Sequence, residues 1–374
     1  MPKKSGDSVA RPIAIGLLLL AAGLVGTCLW LTDQELWQHN PLGWIPLFPA
    51  RIVLLGLSAL LLVVAFARGI VRSRCSLWVQ RVCATLLAGS LAVLFLEVAF
   101  MFVPRSHNVG YTLASGIWFA DFWGKPNALG YRDVEHQREP GKKLVFTVGD
   151  SFTAGGGLRS VASRFSNLLQ QQQPSLQVLN LGMNGADTIG EFRHLVEHPL
   201  QPDVVVLQWG VNDIEGAILR AGHQVPAFAP YQDMPSVKLR WLVRSSYLAN
   251  FAYWAFPHSD LLAYEQQLER MLVDPKVLQL HLQDLQQFVD YATQRHVQLV
   301  VVLFPMLHDL EKSRPMIAPV RALFTQQGVP VIEVADLVQD MSPSSRMVSS
   351  QDAHPSVRVN ELVAEALSRV LQGP

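Results

Sequence analysis

Three apolar runs fill most of the first hundred residues, and they constrain the fold more than any other feature of this 374-residue chain. Residues 12–31 and 52–67 carry no charge, and residues 82–103 carry one acid, Glu97. Each approaches the ~20 residues needed to cross a hydrocarbon core of about 30 Å. A single run of this kind reads as a buried core helix. Three in succession read as a membrane region, 1–104, with three transmembrane helices. Lys3, Lys4 and Arg11 precede the first run, and Arg68, Arg72, Arg74 and Arg81 lie between the second and third, whereas 32–50 has no Lys or Arg. That bias puts the N-terminus in the cytoplasm and everything after Pro104 outside it, on the periplasmic or outer face. Lys3 and Lys4 would also suit a cleaved signal peptide, but the first apolar run is longer than a signal core. Glu97 lies about two helical turns from Pro104, near enough to the outer surface to pair with Arg105.

The remaining composition excludes more than it assigns. Formal net charge is zero and no block of like charges stands out. No nucleic-acid partner is therefore expected, since that needs a basic face against phosphates. Cys28, Cys75 and Cys83 all fall in the membrane region, so the outer domain has no disulfide framework and no Cys-based metal site. Neither a cofactor nor a metal is expected.

Residues 105–142 read as an extracytoplasmic stem, in which Asn127, Gly130, Tyr131 and Arg132 mix turn formers with an aromatic and a cation. From 143 to 374 apolar runs alternate with amphipathic ones. Strands are expected at 144–148, 177–181, 204–208, 298–304 and 330–334, all short and apolar throughout, as buried parallel strands are. Helical spacing covers 164–173, 275–295 and 317–327; Leu278, Leu282, Leu285, Phe288, Val289 and Ala292 make one apolar stripe. The alternation predicts an α/β fold, a doubly wound and mostly parallel five-stranded sheet, preceded by the all-α transmembrane region. An aromatic-rich insertion at about 213–260 interrupts it. Within that insertion 238–256 reads as one helix, either a lid over the site or a segment packed on the domain.

Sites in such sheets lie beyond the C-terminal strand ends, and polar blocks stand there. Gly149-Asp150-Ser151-Phe152 follows the first strand, with Gly155, Gly156 and Gly157 behind it. Asn180-Leu181-Gly182-Met183-Asn184-Gly185 follows the second, Gly210-Val211-Asn212-Asp213 the third, and Asp352-Ala353-His354-Pro355 lies near the C-terminus. Serine, glycine, asparagine and histidine blocks in this order strongly resemble the SGNH/GDSL hydrolase superfamily, over roughly the last three-fifths of the chain. The resemblance implies a flavodoxin-like sheet and acyl transfer at an ester carbonyl.

A serine hydroxyl needs a neighbouring base. His354 is the candidate, because imidazole titrates near neutral pH, and Asp352 would accept its other N–H. The resemblance assigns the oxyanion hole to the Ser151 backbone N–H, the Gly185 backbone N–H and the Asn212 side-chain amide, with Gly182 as the alternative to Gly185. Asp150 and Asp213 would organise their turns. In the family pattern the acid stands three residues before the histidine, where this chain has Gln351; Asp352 stands two before. Polysaccharide O-acetyltransferases of the superfamily use that Asp-x-His spacing. A Ser-His dyad aided by a backbone carbonyl is the alternative. His194 and His198, at i and i+4, lack an evident third metal ligand and read as surface residues. His308-Asp309 reads as a turn cap.

These features imply a membrane-anchored extracytoplasmic serine esterase acting on O-acyl, chiefly acetyl, esters of a glycan or lipid. An O-acetyltransferase of cell-surface glycans, fed by a membrane acyl-donor partner, uses the same serine. A catalytically inactive glycan-binding or assembly module is the reading from another class.

Overall fold

The computed structural model describes residues 7–37, 47–68, 77–103, 106–107, 110–111, 113–114, 126–225, 240–255, 259–350 and 352–372. Lys3, Lys4, Arg72, Arg74, Gln351, the Arg105 expected beside Glu97 and most of 105–125 lie outside them. The chain forms two compact units. One comprises Met1–Arg105, Tyr111–Ile117 and Tyr231–Phe256; the other comprises Ser106–Gly110, Trp118–Pro230 and Pro257–Pro374.

The second unit is built on a parallel sheet of β1 (Lys143–Val148), β2 (Leu176–Asn180), β3 (Val204–Trp209), β4 (Gln298–Leu303) and β5 (Val331–Glu333), in the order β2-β1-β3-β4-β5. Each of the five expected runs forms a strand. Their apolar character on both faces follows from helices covering both sides. Leu144, Phe146 and Val148 pack with Leu285, Phe288 and Ala292 of the helix Pro275–Arg295, and with Val320 and Phe324 of the helix Leu310–Gln326. Val145 faces the other way, onto Phe165 and Leu169 of Phe165–Gln172 and Val359, Val363 and Leu367 of Val357–Gln372. Successive strand residues alternate in this way because the pleat has a period of two. Each fully buried aliphatic or aromatic side chain contributes ~1.5–3 kcal/mol.

The chain leaves β1 toward β2 on one side and returns to β3 on the other. The switch point of this topology therefore lies between the C-terminal ends of β1 and β3, where such sheets bind ligands. The helix Leu310–Gln326 starts earlier than the expected 317 and runs through Pro315 and Pro319. Its start is fixed by Asp309, whose carboxylate caps it by accepting from Lys312 N at 3.1 Å.

Trp209, at the end of β3, donates its indole N–H to His281 Nε2 at 2.9 Å, and both residues are fully buried. Burial, aided by the Arg220 charge, drives the His281 pKa down to about 3. The unfolded chain protonates such a histidine near 6.5, so the folded state loses stability as pH falls below that value. The buried carboxyls of Glu191 and Asp213 are shifted upward, chiefly by burial, and act with the opposite sign. The contribution of His281 is therefore read as a difference between variants. His281→Gln keeps an acceptor for Trp209, and its unfolding free energy in urea should fall less steeply between pH 6.5 and 4, by up to ~1.4 kcal/mol per pH unit. Parallel curves for parent and variant would contradict this.

The first unit is helical: Asp7–Trp37, Leu47–Phe66 and Leu77–Phe100. Two stretches, Pro12–Leu31 and Leu77–Phe100, are long and apolar enough to cross a membrane, and only 17% and 11% of their most apolar windows are buried. The intervening Ala50–Phe66 is apolar but shorter. The segment 238–256, expected as one helix, is broken into Arg240–Ser245 and Tyr247–Trp254. Ser246 is extended at the break, and its hydroxyl accepts from Ala249 N at 3.1 Å as an N-cap. Glu97 sits against the same helix start. Its carboxylate accepts from Tyr247 N at 2.7 Å, Leu248 N at 3.1 Å and Ser246 Oγ at 2.7 Å. A carboxylate there neutralises the positive end of a helix and satisfies its free N–H groups. Arg51, also buried, donates to Tyr247 Oη at 3.2 Å.

Candidate active site

The turn after β1 admits only glycine at its first position. A Cβ on Gly149 would lie 2.3 Å from Thr153 Oγ1 and 2.4 Å from Gln208 Oε1. Asp150 then caps the four-residue helix Ser151–Ala154, its Oδ1 accepting from Phe152 N at 2.8 Å. The helix ends at Gly155, in the left-handed region at φ 80°. This abrupt geometry brings Ser151 to the first turn beyond the sheet.

Ser151 Oγ lies 2.8 Å from His354 Nε2, and His354 Nδ1 lies 2.5 Å from Asp352 Oδ1. Asp352 and His354 share the strand β7 (Asp352–Pro355), which pairs antiparallel with β6 (Met347–Ser349). Residues two apart on a strand project to the same face, so an acid two positions before the histidine reaches its ring. Asp352 Oδ1 also accepts from His354 N at 3.1 Å, which fixes the carboxylate locally. Burial opposes protonation of His354, but the charge and hydrogen bond of Asp352 and the charge of Asp150 outweigh it, holding the imidazole above its ordinary 6.5. A serine, an imidazole and a buried carboxylate in series can move a proton off the hydroxyl and return it to a leaving group.

The other blocks converge on the same turn. Asn212 Nδ2 donates to Asp150 Oδ2 at 2.8 Å, which orients the amide and leaves its second hydrogen available. Asp213 accepts from Gly210 N at 2.7 Å and organises the turn after β3. Gly182 N–H is engaged with Asn180 Oδ1 at 2.9 Å, and a Cβ there would lie 2.3 Å from Ala154 N. Gly182 thus serves close backbone approach. Gly185 stands at φ 70° with open space around it, and its turn is tied to the serine turn by Met183 N donating to Gly149 O at 3.1 Å.

Two residues to which the sequence assigns no role of their own, Gln208 and Asn180, hold this region. Gln208 is fully buried, and its Oε1 accepts from Asp150 N and Thr153 N at 3.2 Å and from Thr153 Oγ1 at 2.9 Å. A single amide inside an otherwise apolar strand was the available signal, because a buried polar group needs partners. Asn180 Nδ2 donates to Thr153 O at 2.7 Å and Ser166 Oγ at 2.8 Å, bracing the helix behind Ser151.

Of the two histidines expected on the surface, His198 is buried and His194 is half-buried. His198 is bonded to His136 through Nε2 and Nδ1 at 2.9 Å, and burial together with His136 lowers its pKa to about 4. His194 stands edge-on to Tyr131 at 5.8 Å. The apolar wall of β1 and the Tyr131 ring draw both inward. Among the described residues no group of three His, Cys, Asp or Glu is placed to hold a metal ion.

Residues 147–362, more than half of the chain, match the model of the GDSL-like Lipase/Acylhydrolase family. The chain belongs to this family. Its chemistry is hydrolysis of acyl ester bonds, and its parallel sheet is that of the SGNH fold. Among solved structures the chain is similar to a G-D-S-L family lipolytic protein from Veillonella parvula, at 13% identity over 62% of this chain and 99% of that one, with a TM-score of 0.37. It is also similar to a psychrotrophic esterase from a Pseudoalteromonas species, at 13% identity over 62% and 97%, TM-score 0.37. A lipase/acylhydrolase from Enterococcus faecalis aligns at 15% identity over 62% and 96%, TM-score 0.36. No curated protein matches the chain.

Proposed function

We propose that the chain is a membrane-anchored serine esterase that removes O-acyl, chiefly acetyl, groups from a glycan or lipid ester outside the cytoplasm. The observation that carries this reading is the continuous series Ser151 Oγ, His354 Nε2, His354 Nδ1, Asp352 Oδ1 at 2.8 and 2.5 Å. His354 takes the hydroxyl proton as Ser151 Oγ adds to the ester carbonyl. Asp352 holds the Nδ1–H tautomer and stabilises the imidazolium. The Ser151 N–H, the Gly185 N–H and the second hydrogen of Asn212 Nδ2 receive the oxyanion, which needs donors fixed in advance. Collapse expels the alcohol, protonated by His354, and leaves an acyl-Ser151 ester. Water, deprotonated by the same imidazole, then releases the acid. The three apolar helices are the anchor, 105–142 the stem and 143–374 the hydrolase domain. The clustering of Arg68, Arg72, Arg74 and Arg81 supports an outward-facing site.

A fluorophosphonate probe should label Ser151 in the full-length chain purified in detergent, and the same sample should hydrolyse p-nitrophenyl acetate. Because His354 must be neutral to act as base, labelling should accelerate with rising pH through a value above 6.5, in line with its upward shift. Folded protein that is neither labelled nor active would refute the reading.

The Asp352-Ala353-His354 spacing favours one second reading, an O-acetyltransferase of cell-surface glycans. In that case a sugar hydroxyl replaces water at the acyl-enzyme, and a membrane partner supplies acyl groups. Acylated oligosaccharide among the products indicates the transferase; free acid alone indicates the esterase.

A further inference from the structure

The loop that backs the proposed triad has almost no side chains of its own. Gly155 and Gly157 sit at φ 80° and 70°. A Cβ on Gly156 would lie 2.5 Å from His354 Cδ2, and one on Gly157 would lie 2.5 Å from Asp352 Oδ2. Gly156 N also donates to Ser151 O at 2.7 Å. The loop is therefore the wall on which the imidazole and its carboxylate rest. Three successive glycines give it the greatest backbone freedom a chain can have, so something else must hold it.

Arg132 holds it. This residue is 4% exposed, and its guanidinium donates from Nη1 to Gly155 O at 2.7 Å and Ala154 O at 3.2 Å, and from Nη2 to Leu158 O at 3.1 Å. A planar guanidinium presents donors in a fixed fork, which a flexible ammonium cannot reproduce. Its own position is braced from both sides. Asn127 Oδ1 accepts from Leu129 N and Tyr131 N, both at 3.0 Å, which closes the preceding turn. Fully buried Arg164 donates to Arg132 O at 2.5 Å and to Asp133 Oδ1 at 3.0 Å, and the other Asp133 oxygen accepts from Asn180 N at 2.7 Å. Arg132 lies before residue 147, where the family match begins.

We propose that Arg132 is a positioning residue for ester hydrolysis, clamping the 155–158 loop so that His354 and Asp352 stay aligned with Ser151. This rests on the esterase reading above. A displacement of about 1 Å at a reacting group typically costs ~10²-fold, so Arg132→Ala in the detergent-purified full-length chain should lower kcat for p-nitrophenyl acetate by ~10²-fold, with KM little changed. Fluorophosphonate labelling of Ser151 should slow in parallel. Millimolar guanidinium should restore part of kcat by refilling the fork site, and Arg132→Lys should recover less than the added ion does. Arg132→Gln, nearly isosteric and neutral, is the second variant should the alanine form fail to fold. Parent-like kcat in a folded Arg132→Ala or Arg132→Gln protein would overturn the proposal, and so would a loss that guanidinium cannot reverse. Failure of both variants to fold would reduce Arg132 to a structural role and overturn it as well. If the parent itself is not labelled at Ser151, the esterase reading fails first, and that outcome is distinguishable because it appears without any substitution.

Discussion

Alanine at Ser151 or at His354 is expected to lower kcat for a short p-nitrophenyl ester by ~10⁴–10⁶, and the double substitution to cost no more than the worse single one. The reason is geometric. Ser151 Oγ is the acceptor or donor partner of His354 Nε2 at 2.8 Å, so removing either side chain ends the same proton transfer. A residual rate above water would persist, since the backbone N–H of residue 151 and the Asn212 amide survive both changes. Neither variant should unfold: Ser151 is only half-buried, and the ring of His354 rests against glycine. Multiplicative losses in the double variant would show two independent devices and break the assignment. Circular dichroism beside the kinetics separates lost chemistry from lost structure.

Gly156→Ala should cost less but still ~10²–10³ in kcat, while the fold survives. The φ of Gly156 is outside the left-handed region, so alanine fits the backbone there. What it meets is the His354 ring, with Nε2 at 2.6 Å and Cδ2 at 2.5 Å from the new methyl carbon. The ring is the free end of a side chain and can swing, whereas the loop backbone is held by Arg132. His354 therefore gives way, and its contact with Ser151 is lost. Thermal unfolding close to the parent's with a collapsed kcat is the expected pair of results. Retained kcat would mean that the loop, not the imidazole, yields.

The legible parts of this molecule are those in which neighbours in sequence carry the signal. β1, β3 and β4 announce themselves because both of their faces are buried, and Ser151 and Asn212 stand in the turns just beyond strands. Partners far apart in sequence left no such trace. The Arg105 expected beside Glu97 lies outside the described residues, and the contacts that the acid does make, to Ser246, Tyr247 and Leu248, come from a segment about 150 residues away. Nothing local to either segment encodes that pairing. The same holds for Gln208, whose contacts reach the turn after a different strand, and for Arg132, whose targets are carbonyl oxygens that every residue type carries. Ser246 misled for another reason. Serine suits a helix interior poorly and an N-cap well, and the aromatic run around it obscured the break.

The cap that Glu97 places on Tyr247–Trp254 also bears on how the enzyme can be handled. Severing the polypeptide behind the third apolar helix, as one would to liberate a water-soluble fragment, removes the acid while leaving its helix attached to the remainder. Tyr247, Phe251 and their neighbours would then face solvent as an orphaned greasy patch, and the amides they relied on would need new acceptors. Glu97 and the helix Tyr247–Trp254 belong to one compact unit of the chain, so a clean excision has to take both.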